Sequence, residues 1–264
     1  MTTIALRDLY EATSKHSNYQ TLAPDVNRLL GVAPVPAKSR YERERFDFIS
    51  RHVAFDGLHA ADIGGNTGFF SFEMLRAGAT RVDYFEGNVA HHNFVHEAAR
   101  QLALEARLAT HARYVEFTTS DLPAVDCTLL LNVLHHLGDD YGDHSLSLDA
   151  AKASMLAPLA TIARTSRTLV FQLGFNWRGD RHRPLFANGT KAELIEFVRR
   201  SSEADWDIDA IGIAVRDGEQ ITFRPLDEQN VQRDDRLGEF LNRPLFIMRS
   251  RHLSTSASGA EAAR

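Results

Sequence analysis

The chain has 264 residues, of which 44% are hydrophobic and 25% charged, values typical of a globular protein with a sizeable core. Its formal net charge is −5, which makes nucleic acid an improbable partner because nucleic-acid-binding proteins usually carry a basic surplus. No stretch approaches about 18 consecutive apolar residues, so we expect no membrane span. The N-terminus MTTIALRDLYEATSKHS lacks the apolar core of a secretory signal, and we expect a cytoplasmic protein. The single cysteine, Cys127, excludes an internal disulfide and a thiolate metal cluster.

Apolar patches of strand length alternate along the chain with longer segments of helical period, a pattern typical of an α/β domain. Strands are predicted at 58–63, 81–86, 112–117, 126–132, 168–174, 207–215 and 244–250. Helices are predicted at 69–78, 88–104, 190–201 and about 147–165, with a kink or break at Pro158. No obvious helix joins the last two strands, which allows the final strand to insert antiparallel between its neighbours. The sequence therefore predicts an α/β fold with a seven-stranded, mostly parallel sheet, helices on both faces and an antiparallel last strand.

The sequence predicts three parts of the chain. Residues 1–52 precede the first strand and are expected to form an N-terminal helical cap around the loop 33-APVPAKS-39. Residues 53–252 form the sheet domain, in which 215–243 is a long polar insertion. Residues 253–264 have the composition of a flexible tail.

Three glycines follow the first predicted strand and precede a predicted helix in 61-ADIGGNTGFFSFEML-75. Glycines let a ligand approach the main chain closely, and a helix N-terminus presents free N–H groups to an anion. The spacing from Asp62 through Gly64, Gly65, Asn66 and Gly68 fits neither the dinucleotide-binding G-x-G-x-x-G pattern nor the Walker pattern. Taken alone, the stretch is compatible with several nucleotide ligands or with a purely structural turn.

Two further features follow the turn in chain order. The second predicted strand ends in Glu86, 24 positions after Asp62, close to the spacing of about 20 residues typical of an acid that binds a ribose diol. The fourth predicted strand leads into 126-DCTLLLNVLHHLGDD-140. Together with the turn, these features resemble the D-x-G-x-x-x-G motif, the ribose acid and the V-L-H-H segment of class I S-adenosylmethionine-dependent methyltransferases. The resemblance covers roughly residues 40–175, and we expect the same domain to continue to 250.

The resemblance implies a Rossmann-like fold, S-adenosylmethionine as the cofactor and methyl transfer as the reaction. In the family, the glycine turn contacts the methionine part and ribose of the cofactor, an acid after the second strand binds the ribose hydroxyls, and a basic residue before the first strand can pair with the cofactor carboxylate. The positions that it assigns to cofactor binding are Arg40 (with Arg45 as the alternative), Asp62, Gly64, Gly65, Asn66, Gly68, Glu86, Gly87, Asn88, Asp121 and Asn132.

Candidate residues for the methyl acceptor follow the fourth and fifth strands. His135 or His136 can act as a general base, since histidine accepts a proton near neutrality, or can serve packing alone. Adjacent side chains point apart and no Cys or carboxylate cluster completes a site with them, so no metal is expected. The loop 174-GFNWRGDRHRP-184 is either a solvated surface loop or a binding site for a phosphate, carboxylate or sugar, with the candidates Trp177, Arg178, Arg181 and Arg183.

The acceptor is only partly constrained. The sequence 132-NVLH-135 replaces the D/N-P-P-Y/F signature of many amino-nitrogen methyltransferases, and Asn132 lacks the acids of a catechol-type magnesium site. The motif pattern is similar to enzymes that modify bacterial polysaccharide termini, tRNA wobble uridines or natural products. The acidic net charge favours an oxygen of a small molecule or glycan. The alternatives are a tRNA- or RNA-modifying methyltransferase and a catalytically silent cofactor-binding partner protein, and a homo-oligomer is compatible with either.

Overall fold

The computed structural model of the chain describes residues 6–12, 19–31, 37 and 39–253. The predicted tail therefore lies outside the described residues except for Leu253, as does most of the loop 33–39. The strands are β1 His59–Ile63, β2 Arg81–Phe85, β3 Leu108–His111, β4 Val125–Leu131, β5 Ser166–Gln172, β6 Trp206–Asp217, β7 Gln220–Pro225 and β8 Leu245–Ser250. The helices are α1 Leu6–Glu11, α2 Pro24–Leu29, α3 Glu42–His52, α4 Phe69–Arg76, α5 Val89–Gln101, α6 Leu148–Met155, α7 Ala157–Ile162, α8 Lys191–Ser202 and α9 Gly238–Leu241.

The strands form one sheet in the order β3-β2-β1-β4-β5-β8-β6-β7. The first five are parallel to one another, whereas β8 runs antiparallel to both β5 and β6. This confirms an α/β, Rossmann-like, mostly parallel sheet with the last strand inserted antiparallel between its neighbours. The carboxyl ends of β1 and β4 meet where the strand order reverses, which is the position where open α/β sheets bind ligands.

Two predicted features of the sheet are wrong. The sheet has eight strands among the described residues, because β7 lies inside the segment predicted as a polar insertion. Only Ile221 and Phe223 of β7 are buried, so this edge strand has a short apolar pattern. The third strand is 108–111 and not 112–117. In the later segment Val115 and Phe117 are buried beside the sheet, which gives an apolar alternation without strand pairing.

Helices cover both faces of the sheet. On one face, α1 to α5 bury apolar side chains in a common cluster that includes Val26, Phe48 and Phe94. On the other face, α6 to α8 do the same with Met155 and Leu194. The described part of residues 1–52 thus shares its core with the sheet, and the boundary at residue 52 remains a prediction. Across the described ranges, every helix is too short or too polar to cross a bilayer.

A buried carboxylate of β2 joins this strand to its two neighbours, β1 and β3. Asp83 of β2 is 3% exposed and contacts His59 Nε2 at 2.5 Å, His111 Nε2 at 2.9 Å and Arg81 Nη2 at 3.2 Å. Burial alone raises the pKa of a carboxyl group, but the hydrogen bonds from His111 and His59 and the charge of Arg81 outweigh it. They hold the pKa of Asp83 well below its usual range.

We predict that Asp83→Asn lowers the free energy of unfolding at pH 7 by about 1–3 kcal/mol, because it removes a charged acceptor of buried hydrogen bonds. A lowered pKa contributes stability that is present above the unfolded value of about 3.9 and is lost as the pH falls below it. The free energy of unfolding measured with urea therefore decreases less between pH 7 and pH 3 for the variant than for the wild type. The exposed Asp217→Asn is the control and changes stability by less than about 0.5 kcal/mol. Equal stabilities of wild type and Asp83→Asn at pH 7 would contradict this role.

Candidate functional site

A cavity of about 480 Å³ opens at the carboxyl edge of β1, β2 and β4. Its volume is in the range of sites that hold one small ligand or cofactor. Its wall contains residues from the strand ends, from the segment before β1 and from the segment around α9. The residues predicted from sequence that line it are Arg40, Asp62, Gly64, Gly65, Glu86, Gly87, Asn132, His135, His136 and Arg178.

The glycine turn is fixed to the end of β2. The N–H groups of Gly64 and Gly65 both donate to the carbonyl of Phe85, at 2.8 and 3.3 Å. Gly64 has a φ of +72°, which favours glycine. A Cβ atom at Gly65 would lie 2.6 Å from the Tyr84 ring and 2.8 Å from Asp62 Oδ2, so no larger residue fits there. The turn therefore brings bare main chain to the cavity wall.

Glu86 is held at the cavity wall by main-chain donors from both sides. Its Oε2 accepts from the N–H of Asn66 at 2.9 Å, and its Oε1 accepts from the N–H of Asn88 at 2.8 Å. The residue is only 9% exposed. A carboxylate offers about four acceptor positions, and the two N–H groups fix its orientation. This arrangement is suited to a ligand with a pair of hydroxyl groups.

Asp62 places a second carboxyl group in the floor of the cavity. It is 3% exposed, and Ser71 Oγ donates to its Oδ2 at 2.7 Å. Burial raises the pKa of Asp62 to about 6. The hydrogen bond from Ser71 works against this increase, and the negative charge of Glu86 adds to it. The group is thus mostly ionised at pH 7.5 and presents a negative charge that suits a cationic part of a ligand.

A polar network fixes the end of β4. Asn132 has a φ of +63°, and its side-chain N–H donates to Gln172 Oε1 at 2.9 Å. Arg243 Nη1 donates to Asn132 Oδ1 at 2.8 Å, and Arg243 also pairs with Glu239 at 2.6 Å. Both polar atoms of the Asn132 amide are therefore engaged within the protein. Three residues of this network were not predicted as site residues: Gln172, Glu239 and Arg243. In the sequence they are marked only by an amide in the apolar run 168-TLVFQLG-174 and by an acid and a base four residues apart.

Two arginines of the segment before β1 line the cavity. Arg45 is 3% exposed and contacts Gln172 Oε1 at 3.3 Å and Glu42 Oε1 at 3.5 Å. Burial lowers the pKa of Arg45 to about 10, which leaves it charged at neutral pH. Its Nε is buried and has no hydrogen-bond acceptor among the described residues. The guanidinium of Arg40 lies over the rings of Tyr19 and Phe240, at 4.9 and 5.0 Å.

The N-terminal part of the chain also completes the turn. Gln20 is buried, and its Oε1 accepts from the N–H of Phe69 at 3.0 Å and from Thr67 Oγ1 at 3.1 Å. It thereby satisfies one of the free N–H groups at the start of α4. Gln20 and its neighbour Tyr19 line the cavity but lie 44 or more positions before the glycine turn, and no local pattern identified them.

The two adjacent histidines occupy a 3-10 turn, 134–136, directly after β4. The ring of His135 is buried, and its Nδ1 accepts from the N–H of Gly174 at 3.2 Å. A neutral His135 with this hydrogen bond carries its proton on Nε2. His136 is half-buried, and its Nδ1 lies 3.7 Å from Asp139 Oδ2 and 3.3 Å from Asp140 Oδ2. Both aspartates line the cavity. The structure therefore places two carboxylates beside His136, which the sequence pattern did not predict.

Some predicted cofactor residues do not line the cavity. Asp121 is bound by Arg113 and by the N–H of Glu116 at 2.7 Å. The side chain of Asn88 accepts from Ala90 N–H at 3.0 Å and caps α5. Asn66 and Gly68 shape the turn through positive φ angles. For these residues the structure shows a local structural role, and a direct role in binding remains a prediction.

The loop after β5 contributes only Arg178 and Gly179 to the cavity wall. Trp177 is 2% exposed, and its indole N–H donates to the carbonyl of Leu137 at 2.6 Å, so it ties this loop to the histidine turn. Arg183 lies over the Trp177 ring at 5.3 Å, and Arg181 is exposed. The structure does not bring Trp177, Arg181 and Arg183 into the cavity, and their predicted role in substrate binding is not supported by a contact there.

No family model and no curated protein sequence matches this chain. Among solved structures, a 2.2 Å crystal structure of WbdD is similar with a TM-score of 0.55 and 16% identity, over 92% of this chain and 46% of that one. A structure described as the bifunctional kinase-methyltransferase WbdD gives 0.54 and 17%, over 83% and 44%. A putative RNA methyltransferase from Pyrococcus horikoshii gives 0.47 and 12%, over 93% and 97%. The chain thus spans less than half the length of each of these two WbdD chains, and at such identities the likeness to them shows the fold alone, which is Rossmann-like.

Proposed function

We propose that this protein is an S-adenosylmethionine-dependent methyltransferase that acts on an oxygen atom of a small-molecule or glycan acceptor. The observation that carries the proposal is the joint geometry of the glycine turn and Glu86 at one cavity wall. The bare main chain of Gly64 and Gly65 and an oriented carboxylate 20 or more residues later suit a nucleoside with a free ribose diol. A 2′-phosphate at the same place would be repelled by Glu86.

The other charged groups of the cavity fit the amino-acid part of the same cofactor. Asp62 provides a negative charge for an ammonium group, and Arg45 provides a buried N–H donor for a carboxylate, with Arg40 beside it at the wall. Gly87 lies under the ring of Tyr114, which also lines the cavity and offers a flat surface for a base. When bound, S-adenosylmethionine supplies a methyl group activated by the sulfonium.

The acceptor is assigned to the wall formed by the histidine turn and Arg178. Methyl transfer needs the nucleophile aligned opposite the sulfur and water excluded, so positioning is the main task of the protein. His135 is fixed by Gly174 and gives this wall a rigid edge. The acidic net charge of −5 favours a small molecule or glycan over RNA. WbdD is described as a bifunctional kinase-methyltransferase, and the fold that this chain shares with part of it is consistent with the proposal.

The direct test is isothermal titration calorimetry of the full chain with S-adenosylmethionine. We expect Glu86→Gln to weaken binding about tenfold or more, because hydrogen bonds to a charged acceptor contribute about 1.5–3 kcal/mol. The exposed Glu105→Gln is a matched control and leaves the affinity unchanged. Unchanged affinity of Glu86→Gln would contradict the assignment of Glu86 to the ribose. If the wild type does not bind S-adenosylmethionine, the assignment of the cofactor itself is wrong. A catalytically silent protein binds the cofactor but forms no S-adenosylhomocysteine with any of a panel of glycans, small hydroxyl compounds and short RNAs.

Asp62 predicts a pH dependence of cofactor affinity. Its pKa is raised to about 6, so the group is charged at pH 7.5 and largely neutral at pH 5. Because the cofactor is cationic in its ammonium and sulfonium groups, affinity falls as the pH is lowered across this window. Asp62→Asn binds more weakly at pH 7.5 and shows a flatter profile between pH 5 and pH 7.5. Thermal melting checks that the variant is folded. We expect it to fold, because the raised pKa of Asp62 means that its ionised carboxylate lowers the stability of the native state. Identical profiles for variant and wild type would refute the assignment.

A further inference from the structure

We propose that His136, Asp139 and Asp140 form a divalent-cation site in the wall of the cavity, and that the cation binds the acceptor oxygen. The placement of the acceptor rests on the proposed function, whereas the cation site itself rests on geometry. One donor atom from each of the three residues lies within 4.8 Å of the other two, and all three residues line the cavity.

The distances between the donors suit an ion better than a direct hydrogen bond. His136 Nδ1 lies 3.3 Å from Asp140 Oδ2 and 3.7 Å from Asp139 Oδ2, both longer than the 2.7–3.2 Å of a good N–H···O bond. Adjacent ligands of an octahedral ion with bonds of about 2.1 Å are about 3.0 Å apart. The two distances from His136 Nδ1 are a little above that spacing, and all three donor atoms lie within 4.8 Å of one another.

The local backbone holds the three donors on one side of a closed turn. The N–H groups of Asp139 and Asp140 both donate to the carbonyl of His136, at 2.9 and 3.1 Å. Gly138 has a φ of +76°, and its N–H donates to the carbonyl of Tyr141 at 2.6 Å. The arrangement does not depend on a ligand, so the donors are brought together before a cation binds.

The donor set indicates the kind of site. An imidazole nitrogen and two carboxylates are three protein ligands, the number typical of catalytic metal sites that keep positions open for water or substrate. A majority of oxygen donors suits Mn²⁺ and Mg²⁺, and the imidazole makes Mn²⁺ the better probe. His135 is not a fourth ligand through Nδ1, because that atom accepts from Gly174 N–H.

Arg178 gives an independent indication that an anionic oxygen binds beside this cluster. Its Nε is buried and has no hydrogen-bond acceptor among the described residues, and the residue lines the same cavity. It packs directly against the turn: a Cβ at Gly138 would lie 3.0 Å from Arg178 Nη2, and one at Gly179 would lie 3.5 Å from the His136 ring. The cation and Arg178 together suit an acceptor whose nucleophilic oxygen is anionic or becomes so on coordination.

The cation also changes the role of His136. A hydroxyl group bound to a divalent cation would lose its proton to solvent water more readily than a free one, so no histidine base is needed. His136 then serves as a ligand, in place of the general-base role that the sequence pattern suggests for it. The cation and the cofactor are assigned to different residues, which allows the binding of each to be measured separately.

The test is titration of the full-length protein with Mn²⁺, with free Mn²⁺ followed by electron paramagnetic resonance. We expect one site per chain in the wild type and at least a tenfold loss of affinity in His136→Ala and in the double variant Asp139→Asn/Asp140→Asn. Asp143→Asn is the matched control: it is an exposed acid of the same loop whose carboxylate accepts from Ser145 N–H at 2.8 Å, and it keeps the wild-type affinity. Thermal melting verifies that each variant is folded. If His136→Ala does not fold, the double variant supplies the test, because Asp139 and Asp140 are only partly buried.

The outcomes separate this inference from the proposed function. Absence of Mn²⁺ binding at millimolar concentration, or equal affinity in the double variant, overturns the cation site. Calorimetry with S-adenosylmethionine in the presence of a chelator is expected to give unchanged affinity in the double variant, since the cofactor is assigned to the glycine turn and Glu86 and not to these two aspartates. A protein that binds Mn²⁺ through these residues but not the cofactor supports the cation site and removes the methyltransferase proposal.

Discussion

The fixed position of the Glu86 carboxylate is the constraint on which the rest of the site depends. Two main-chain N–H groups, from Asn66 in the glycine turn and Asn88 at the start of α5, hold its two oxygens. The hydroxyl of Tyr84 donates to the carbonyl of Asn66, and the same ring leaves no room for a side chain at Gly65. The turn, the acid and the end of β2 therefore form one rigid unit, and the shape of the cavity follows from it.

The remaining cavity wall is electrostatically divided. Near the turn, Asp62 is buried beside Glu86 at a cost in desolvation that raises its pKa to about 6. The Asn132 amide is held between Gln172 and Arg243, which fixes the end of β4 at the cavity wall. The same cavity is also lined by Asp139, Asp140 and Arg178.

The sequence predicted the parts of this arrangement whose signal is local. Glycines at fixed spacing after a strand, and an acid at the next strand end, are recognisable because their chemistry depends on a few consecutive residues. The edge strand β7 and the true position of β3 were missed, since a short alternation of apolar residues does not distinguish pairing from packing beside the sheet. Gln20 and Arg243 were missed because their partners lie 49 and 111 positions away. Asp139 and Asp140 stood in the quoted motif, but only the closed turn shows that they converge on His136.

A double-mutant cycle measures whether Glu86 contacts the ribose hydroxyls of a nucleoside cofactor. Wild type and Glu86→Gln are each titrated calorimetrically with S-adenosylhomocysteine and with its 2′-deoxy analogue. We expect a coupling of about 1 kcal/mol or more between the carboxylate and the hydroxyl, so that loss of the hydroxyl weakens binding to the wild type but has little effect on the variant. Equal losses in both proteins would contradict a contact between Glu86 and the diol.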